Sequence, residues 1–531
     1  MNETMEKTIR VLSSSKGKAA RRAMHFAVTS SEPQLSLLAS REVVKTNNTV
    51  GMFELVKRFH QLTSDQQSLL ATHVDKLGAP VRMALLNEDL MVQENAINVI
   101  RHLRPYSAIP LLLQYLERGG PTRHLGVVQW AVHHLLEYFS QEFQGYVPRK
   151  TAYNYLLAEI VDAMEHGFAS WQHHEREIFI DVFFRISERI GTPGHEACKM
   201  MANPNHPAHA VFMRKLLDSQ DLFVMRFLVR QLESTIVSRE FLQATSRRTN
   251  PTFVRMLLET VGHHPTTMLQ SNLSHICRFD WLSDLRTRLP ELEDSCHQFL
   301  VEMLHWTGLN AMEKSVVYET ILRFGSRQGK LAVLERLQQT TSSDADRLVL
   351  LASDNDDPEI QALALSLLRA RHIPGATSRL LHFIDSPHDC IRNVISGELT
   401  EFRMDRLLRT LDVLSDEQRD YMLRVVKKID PNYKRTIAHE LENINQKHKD
   451  FLLDLITVER TVVTYETSLV KLVKQEHDPA LRLQAIKLLA FGMTEMSRRF
   501  LRSVAVHDGN AEVRVFAQRV YEIRGMLKYD V

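Results

Sequence analysis

Apolar residues recur along nearly the whole chain at the three- and four-residue spacing of one helix face, interrupted only by short polar turns. The stretch NEDLMVQENAINVIRHLRPYSAIPLLLQYLE, 87–117, shows the unit. Val92, Ala96, Val99, Ile100 and Leu103 fall on one face, which predicts an amphipathic helix. Asp89, three residues before Val92, stands where a side chain caps free N–H groups. Pro105 ends that helix. A second is predicted from near Ser107, with Pro110 in its first turn and Ile109, Leu112, Leu113, Tyr115 and Leu116 as its apolar residues.

The unit repeats. DDPEIQALALSLLRARHIPGATSRLLHFID, 356–385, aligns on it without a gap at an offset of 268 residues, from Asp89 to Asp357. Ile360 then matches Val92, Gln361 matches Gln93, Ala364 matches Ala96, Leu367 matches Val99 and Arg369 matches Arg101. In the second helix Leu380 and Leu381 match Leu112 and Leu113, and Phe383 matches Tyr115. Shorter copies of the first helix start at Asp478, Asn510, Asp430, Ser386 and Asn250. The step is 31 residues from Ile360 to Ile391 and 32 from Leu481 to Val513. A helix-pair period of about 30–50 residues predicts an all-α solenoid, a superhelix of roughly a dozen antiparallel pairs.

These residues resemble HEAT repeats, in particular the short variety first noted in phycobilin lyases. The resemblance is carried at 86–118, 355–400 and 478–525, and the signature drifts between about 120 and 350. It implies an armadillo-type fold in which Asp and Arg ladder between neighbouring repeats and are structural. Within that frame, 1–45 is expected to be an N-terminal helical cap or partly flexible arm. Two solenoid segments are expected at 46–190 and 210–531, joined by a Pro- and Gly-containing loop or hinge at 191–209. EIFIDVFFRI, 177–186, is apolar nearly all round, as a fully buried helix would be. VERTVVTYETSLV, 458–470, is β-like in composition but is read as helix, because its neighbours offer no sheet.

Composition adds little to this picture. Gly and Pro number only 19 and 17 in 531 residues, which disfavours a turn-rich β protein. Lys plus Arg total 66 and Asp plus Glu 64, so no global charge draws the chain to nucleic acid or anionic lipid. Residues 1–60 do carry ten Lys or Arg against five Asp or Glu. Cys198, Cys277, Cys296 and Cys390 form no C-x-x-C pair, which fits a reducing cytoplasm. No apolar run approaches the length of about 18 residues that a membrane span needs.

Candidate chemistry is sparse. Histidine doublets occur at His133/His134, His173/His174 and His263/His264. The H-E-x-x-H pattern fails at His174, where Ile178 replaces the second histidine, and at His195, where Lys199 does. Deoxyhypusine hydroxylases, on this type of fold, hold iron with His-Glu pairs at equivalent helix starts. His174-Glu175, His195-Glu196 and His439-Glu440 do not fall at equivalent places. His388-Asp389, His477-Asp478 and His507-Asp508 precede helices, where Asp is expected to cap. GSRQGK, 325–330, is one residue short of a phosphate loop, and Leu331 stands where Ser or Thr is required. Basic clusters at Lys16–Arg22, Arg247/Arg248 and Arg498–Arg502 are read as solvated faces rather than a nucleic-acid track of the HEAT-like glycosylase type. No residue is assigned as catalytic, cofactor-binding or metal-ligating, and no cofactor is expected. The expectation is a non-enzymatic scaffold or adaptor that binds a protein. A metal- or chromophore-dependent HEAT-type enzyme or lyase, or a nucleic-acid-binding solenoid, is the alternative.

Overall fold

The computed structural model describes residues 3–15, 17–142, 151–187, 191–235, 237–263, 265–492 and 494–526. Among them are thirty-four α-helices and a few single 3-10 turns, with no strand. The chain divides into two compact units, Met1–Val317 and Tyr318–Val531. In each, helices pack on their immediate neighbours and on the next helix but one, as in an α-solenoid.

The stretch 87–117 folds as its pattern predicts. Leu90–Leu103 and Ala108–Glu117 are helices, and Asp89 accepts the Met91 N–H at 2.9 Å. The matched copy folds as Pro358–Ala370 and Ala376–His382, with Asp357 accepting the Glu359 N–H at 2.9 Å. Val92, Ala96 and Val99, and their counterparts Ile360, Ala364 and Leu367, are all buried. Val462–Gln475 is a helix despite its β-branched run, because Tyr465, Leu469, Leu472 and Val473 line one buried face. Ile178–Ile186 buries every residue except Asp181 and Arg185, and its Phe184 stacks on Phe212 with ring centroids 5.5 Å apart.

Three expectations are corrected or refined. Residues 191–209 are not a continuous loop: Gly191–Ala202 is a helix, and only 203–208 turn. Pro193 falls in its first turn, where the missing N–H costs no helical bond. The division into compact units falls within the helix Ala311–Phe324 instead. Residues 1–45 hold three helices, Glu3–Ser14, Lys18–Val28 and Pro33–Lys45, that pack on one another.

Candidate functional site

The polar residues of the repeat join one helix pair to the next. An α-helix leaves its last four carbonyls without intrahelical partners. Here the following pair supplies donors for them. Lys76 Nζ donates to Val44 O at 3.1 Å, at the end of Pro33–Lys45. Asn95 donates to Lys57 O at 3.0 Å, the last residue of Thr49–Lys57, and Asn272 donates to Leu232 O at 2.8 Å. Arg248, 2% exposed, donates to Leu216 O at 2.5 Å and to Ser219 O, at the end of His209–Asp218. Arg371 does the same to Leu337 O, in the last turn of Arg327–Gln338, and to Thr340 O just beyond it. A cation at a helix C-terminus also opposes the helix dipole.

Ion pairs accompany these caps. Arg482 pairs with the half-buried Asp508, and Lys449 pairs with Glu476 at 2.6 Å. Lys215 bridges Asp181 and Glu177, and Arg185 pairs with Asp221 at 3.3 Å. Two of these, Arg482–Asp508 and Arg185–Asp221, are Arg–Asp pairs between neighbouring helix pairs. Burial by itself raises Glu177 and Glu476. Hydrogen bonds and charge from Lys215 and Arg214, and from Lys449, outweigh it and hold both below the ordinary carboxylate value.

The histidines do not converge. His174 Nε2 donates to Gly167 O at 2.8 Å, while its Nδ1 accepts the Arg176 N–H at 3.0 Å. Both ring nitrogens are occupied, and burial pulls the ring below its ordinary pKa, so it sits as a neutral tautomer. His173 is exposed, and His439 is exposed with Nδ1 3.5 Å from Glu440. The side chain of His195 and all of His264 lie outside the described residues, as does Lys16. His263 packs edge-on to Phe299. Among the described residues, no three His, Cys, Asp or Glu side chains are gathered to hold a metal ion. Asp478 caps as expected, accepting from Ala480. Asp508 accepts from Asn510, and it is Asn510 that caps Ala511–Met526, accepting from Glu512 and Val513. Asp389 does not: it is the first residue of its helix and pairs with Arg392. In GSRQGK, Ser326 caps Arg327–Gln338 and Arg327 pairs with Asp357, so that segment is the capped start of a helix.

Three surface features were not visible in sequence order. The first is a polar cleft of about 890 Å³ in the first unit. Arg247, Arg248 and Arg288 line it opposite Asp218, Asp284 and Glu291, so the Arg247/Arg248 cluster is balanced by carboxylates. The second is a column on Thr122–Glu142. Trp130 stacks on His134 at 5.0 Å, and His134 meets Tyr138 edge-on at 5.0 Å. Arg101 lies over Trp130 at 5.5 Å and Arg104 over Tyr138 at 3.8 Å. The i, i+4, i+8 spacing of those three rings is the signal that could have revealed it. The third is a groove of mixed polar and apolar lining in the second unit, formed where Lys449–Glu459, Val462–Gln475 and Pro479–Gly492 meet. No helix among the described residues is long and apolar enough to cross a membrane.

No protein-family profile matches the chain, and no curated protein does. A solved structure described as showing how Kap95p binding induces the switch loops of RanGDP to adopt the GTP-bound conformation aligns with 98% of this chain and 82% of its own. The identity is 12% and the TM-score 0.22, too low for the similarity to bear on function.

Proposed function

We propose that this chain is a non-enzymatic scaffold or adaptor of the HEAT-repeat kind, which binds a protein partner in the cytoplasm. One observation carries the reading: the polar residues that mark the repeat are consumed in capping helices and in joining helix pairs. Asp89 and Asp357 cap helices, Arg482 and Asp508 pair with each other, and Arg371 closes the preceding pair. What remains for function is the surface that a repeat array exposes at high area per residue. Four unpaired thiols, with Cys198 pushed up to about 12 by burial, fit a reducing compartment.

The test is purification of the tagged chain from its own host, with quantification of everything that remains bound. A single protein in near-equal amount supports the reading. A bare chain under mild, low-salt conditions, together with stoichiometric metal or a bound chromophore, overturns it in favour of an enzyme or lyase.

A further inference from the structure

The first two helices of the first unit carry a run of uncompensated positive charge. Between Lys7 and Ser31 stand Lys7, Arg10, Lys16, Lys18, Arg21 and Arg22, with no Asp or Glu among them. Glu3–Ser14 and Lys18–Val28 pack on each other, and both pack on Pro33–Lys45. Ile9 and Ser13 of the first helix are buried in that layer, as are Ala20, Met24, Ala27 and Val28 of the second. Arg10, Lys18, Arg21 and Arg22 are left exposed. Elsewhere exposed arginines find carboxylates, as Arg123 does in Glu88 at 2.7 Å and Arg347 in Glu319 at 2.8 Å. Among the described residues, none of these four cations has one.

Two large apolar side chains stand among the cations. Lys18, Arg22 and Phe26 fall at i, i+4 and i+8, one stripe opposite the buried Ala20 and Ala27. Phe26 is 71% exposed, and its ring meets His25 edge-on at 5.9 Å. Its exposed neighbours on the helix are Ala19, Arg21 and Arg22, so the ring stands clear of its own chain. Val11, 66% exposed, follows Lys7 by four residues on Glu3–Ser14. A field of one sign selects an anionic partner. The apolar side chains select which kind. Single-stranded nucleic acid is held by a cationic groove with successive stacking rings, and Phe26 is the only Phe, Tyr or Trp before Phe53. Apolar side chains projecting from a cationic helix face suit the headgroup layer of a membrane, which opens around them.

We infer that this face lies on an anionic phospholipid bilayer. Arg10, Lys18, Arg21 and Arg22 meet the headgroup phosphates, and Phe26 and Val11 dip into the interface. Four cations on one amphipathic layer reach the number that draws a peripheral protein to such a surface. The inference goes beyond the protein-binding reading above, and either can fail without the other.

The experiment is co-sedimentation of the full-length chain with vesicles of phosphatidylcholine alone or with a third phosphatidylglycerol. Binding is expected only to the anionic vesicles, and is expected to weaken as salt rises. Lys18→Gln/Arg21→Gln/Arg22→Gln is expected to lower the affinity by at least about tenfold. Lys487→Gln/Arg502→Gln/Arg519→Gln, which removes the same charge from exposed positions of the second unit, is expected to leave it unchanged. Phe26→Trp is expected to bind as the wild type does. Its emission, with the wild-type chain as baseline, should shift to the blue on the vesicles and be quenched by brominated acyl chains. All these positions are exposed, and unchanged far-ultraviolet circular dichroism confirms the fold. Absence of binding, equal binding to both kinds of vesicle, or full binding by the first-unit triple variant overturns the inference. So does an equal loss in the second-unit variant, which would make net charge the cause, or a Phe26→Trp emission that the vesicles leave unshifted. Binding to single-stranded oligonucleotides or to an acidic protein, lost in the first-unit variant and unaccompanied by vesicle binding, would give the face a different occupant and overturn the inference as well.

Discussion

Arg248→Met tests the joining device at its most buried point. The guanidinium donates to Leu216 O and Ser219 O and lies 5.3 Å from the centre of the Phe253 ring. Methionine retains the apolar stem and removes the charge and both donors. Two carbonyls at the end of His209–Asp218 then lose their partners, at about 1–3 kcal/mol each. The ring contact contributes about 1 kcal/mol more. Relief from burying a guanidinium, several kcal/mol in isolation, offsets part of this. The net expectation is a loss of about 2–4 kcal/mol. Arg247, the exposed neighbour, is the control: Arg247→Met should change stability by less than about 0.5 kcal/mol. Hydrogen exchange with mass-spectrometric readout is the suitable assay, because a chain of this length need not unfold in one step. Amides in the last turn of His209–Asp218 should exchange about 30- to 1,000-fold faster in Arg248→Met, since about 1.4 kcal/mol is a factor of ten. Exchange indistinguishable from that of Arg247→Met would refute the idea that this side chain closes the preceding helix.

The same geometry sets further outcomes. Asp508→Ala should cost about 1–3 kcal/mol by leaving the half-buried Arg482 with only its bond to Val473 O, and the Arg482→Ala/Asp508→Ala double-mutant cycle in urea denaturation should show coupling. Asp89→Ala and Asp357→Ala should each cost about 1 kcal/mol as lost caps, whereas Asp389→Ala, which removes no cap, should stay within about 0.5 kcal/mol by the same measurement. Burial lowers His133, His134, His174 and His206 from 6.5, so the unfolded chain binds their protons more readily. Their contribution is therefore full above pH 6.5 and is lost as pH falls below it, and His174→Gln should flatten that part of a melting-temperature profile. Gly262→Ala should lower thermal stability, by about 1–3 kcal/mol, because its Cβ would stand 2.2 Å from the Phe299 ring.

The parts legible in sequence are those written in local order. Apolar spacing reveals both matched helix pairs, and Asp89 and Asp357 reveal their caps, because a cap and its helix are a few residues apart. Arg101 and Arg369, matched in register, both reach forward 29 residues, but to different ends: the Trp130 ring in one case and the Glu398 carbonyl in the other. The two copies share the position but not its chemistry. The closing contacts are hidden for the same reason. Lysine, asparagine and arginine all perform that task, at separations of 29 to 40 residues, so no residue type announces it. Gly191–Ala202 escapes a reading by composition because its prolines and glycines matter only by where in a helix they fall. The groove at Val463 and Phe491 depends on two helices and a left-handed Arg460, none of which is adjacent in sequence to all the others.

The donors that close each helix from the next pair bear on how such a chain could lengthen. A helix pair copied alone would arrive with its final carbonyls open, because the residue that satisfies them belongs to its successor. Arg248 illustrates the offset, reaching back to Leu216 and Ser219 at the end of His209–Asp218, a helix that closes well before it. The natural cassette for duplication or deletion is therefore out of phase with the helix pair. It runs from the interior of one pair to the interior of the next and carries its own closing cation. Insertions cut at the visible turns should misfold more often than insertions of equal length cut within that shifted frame.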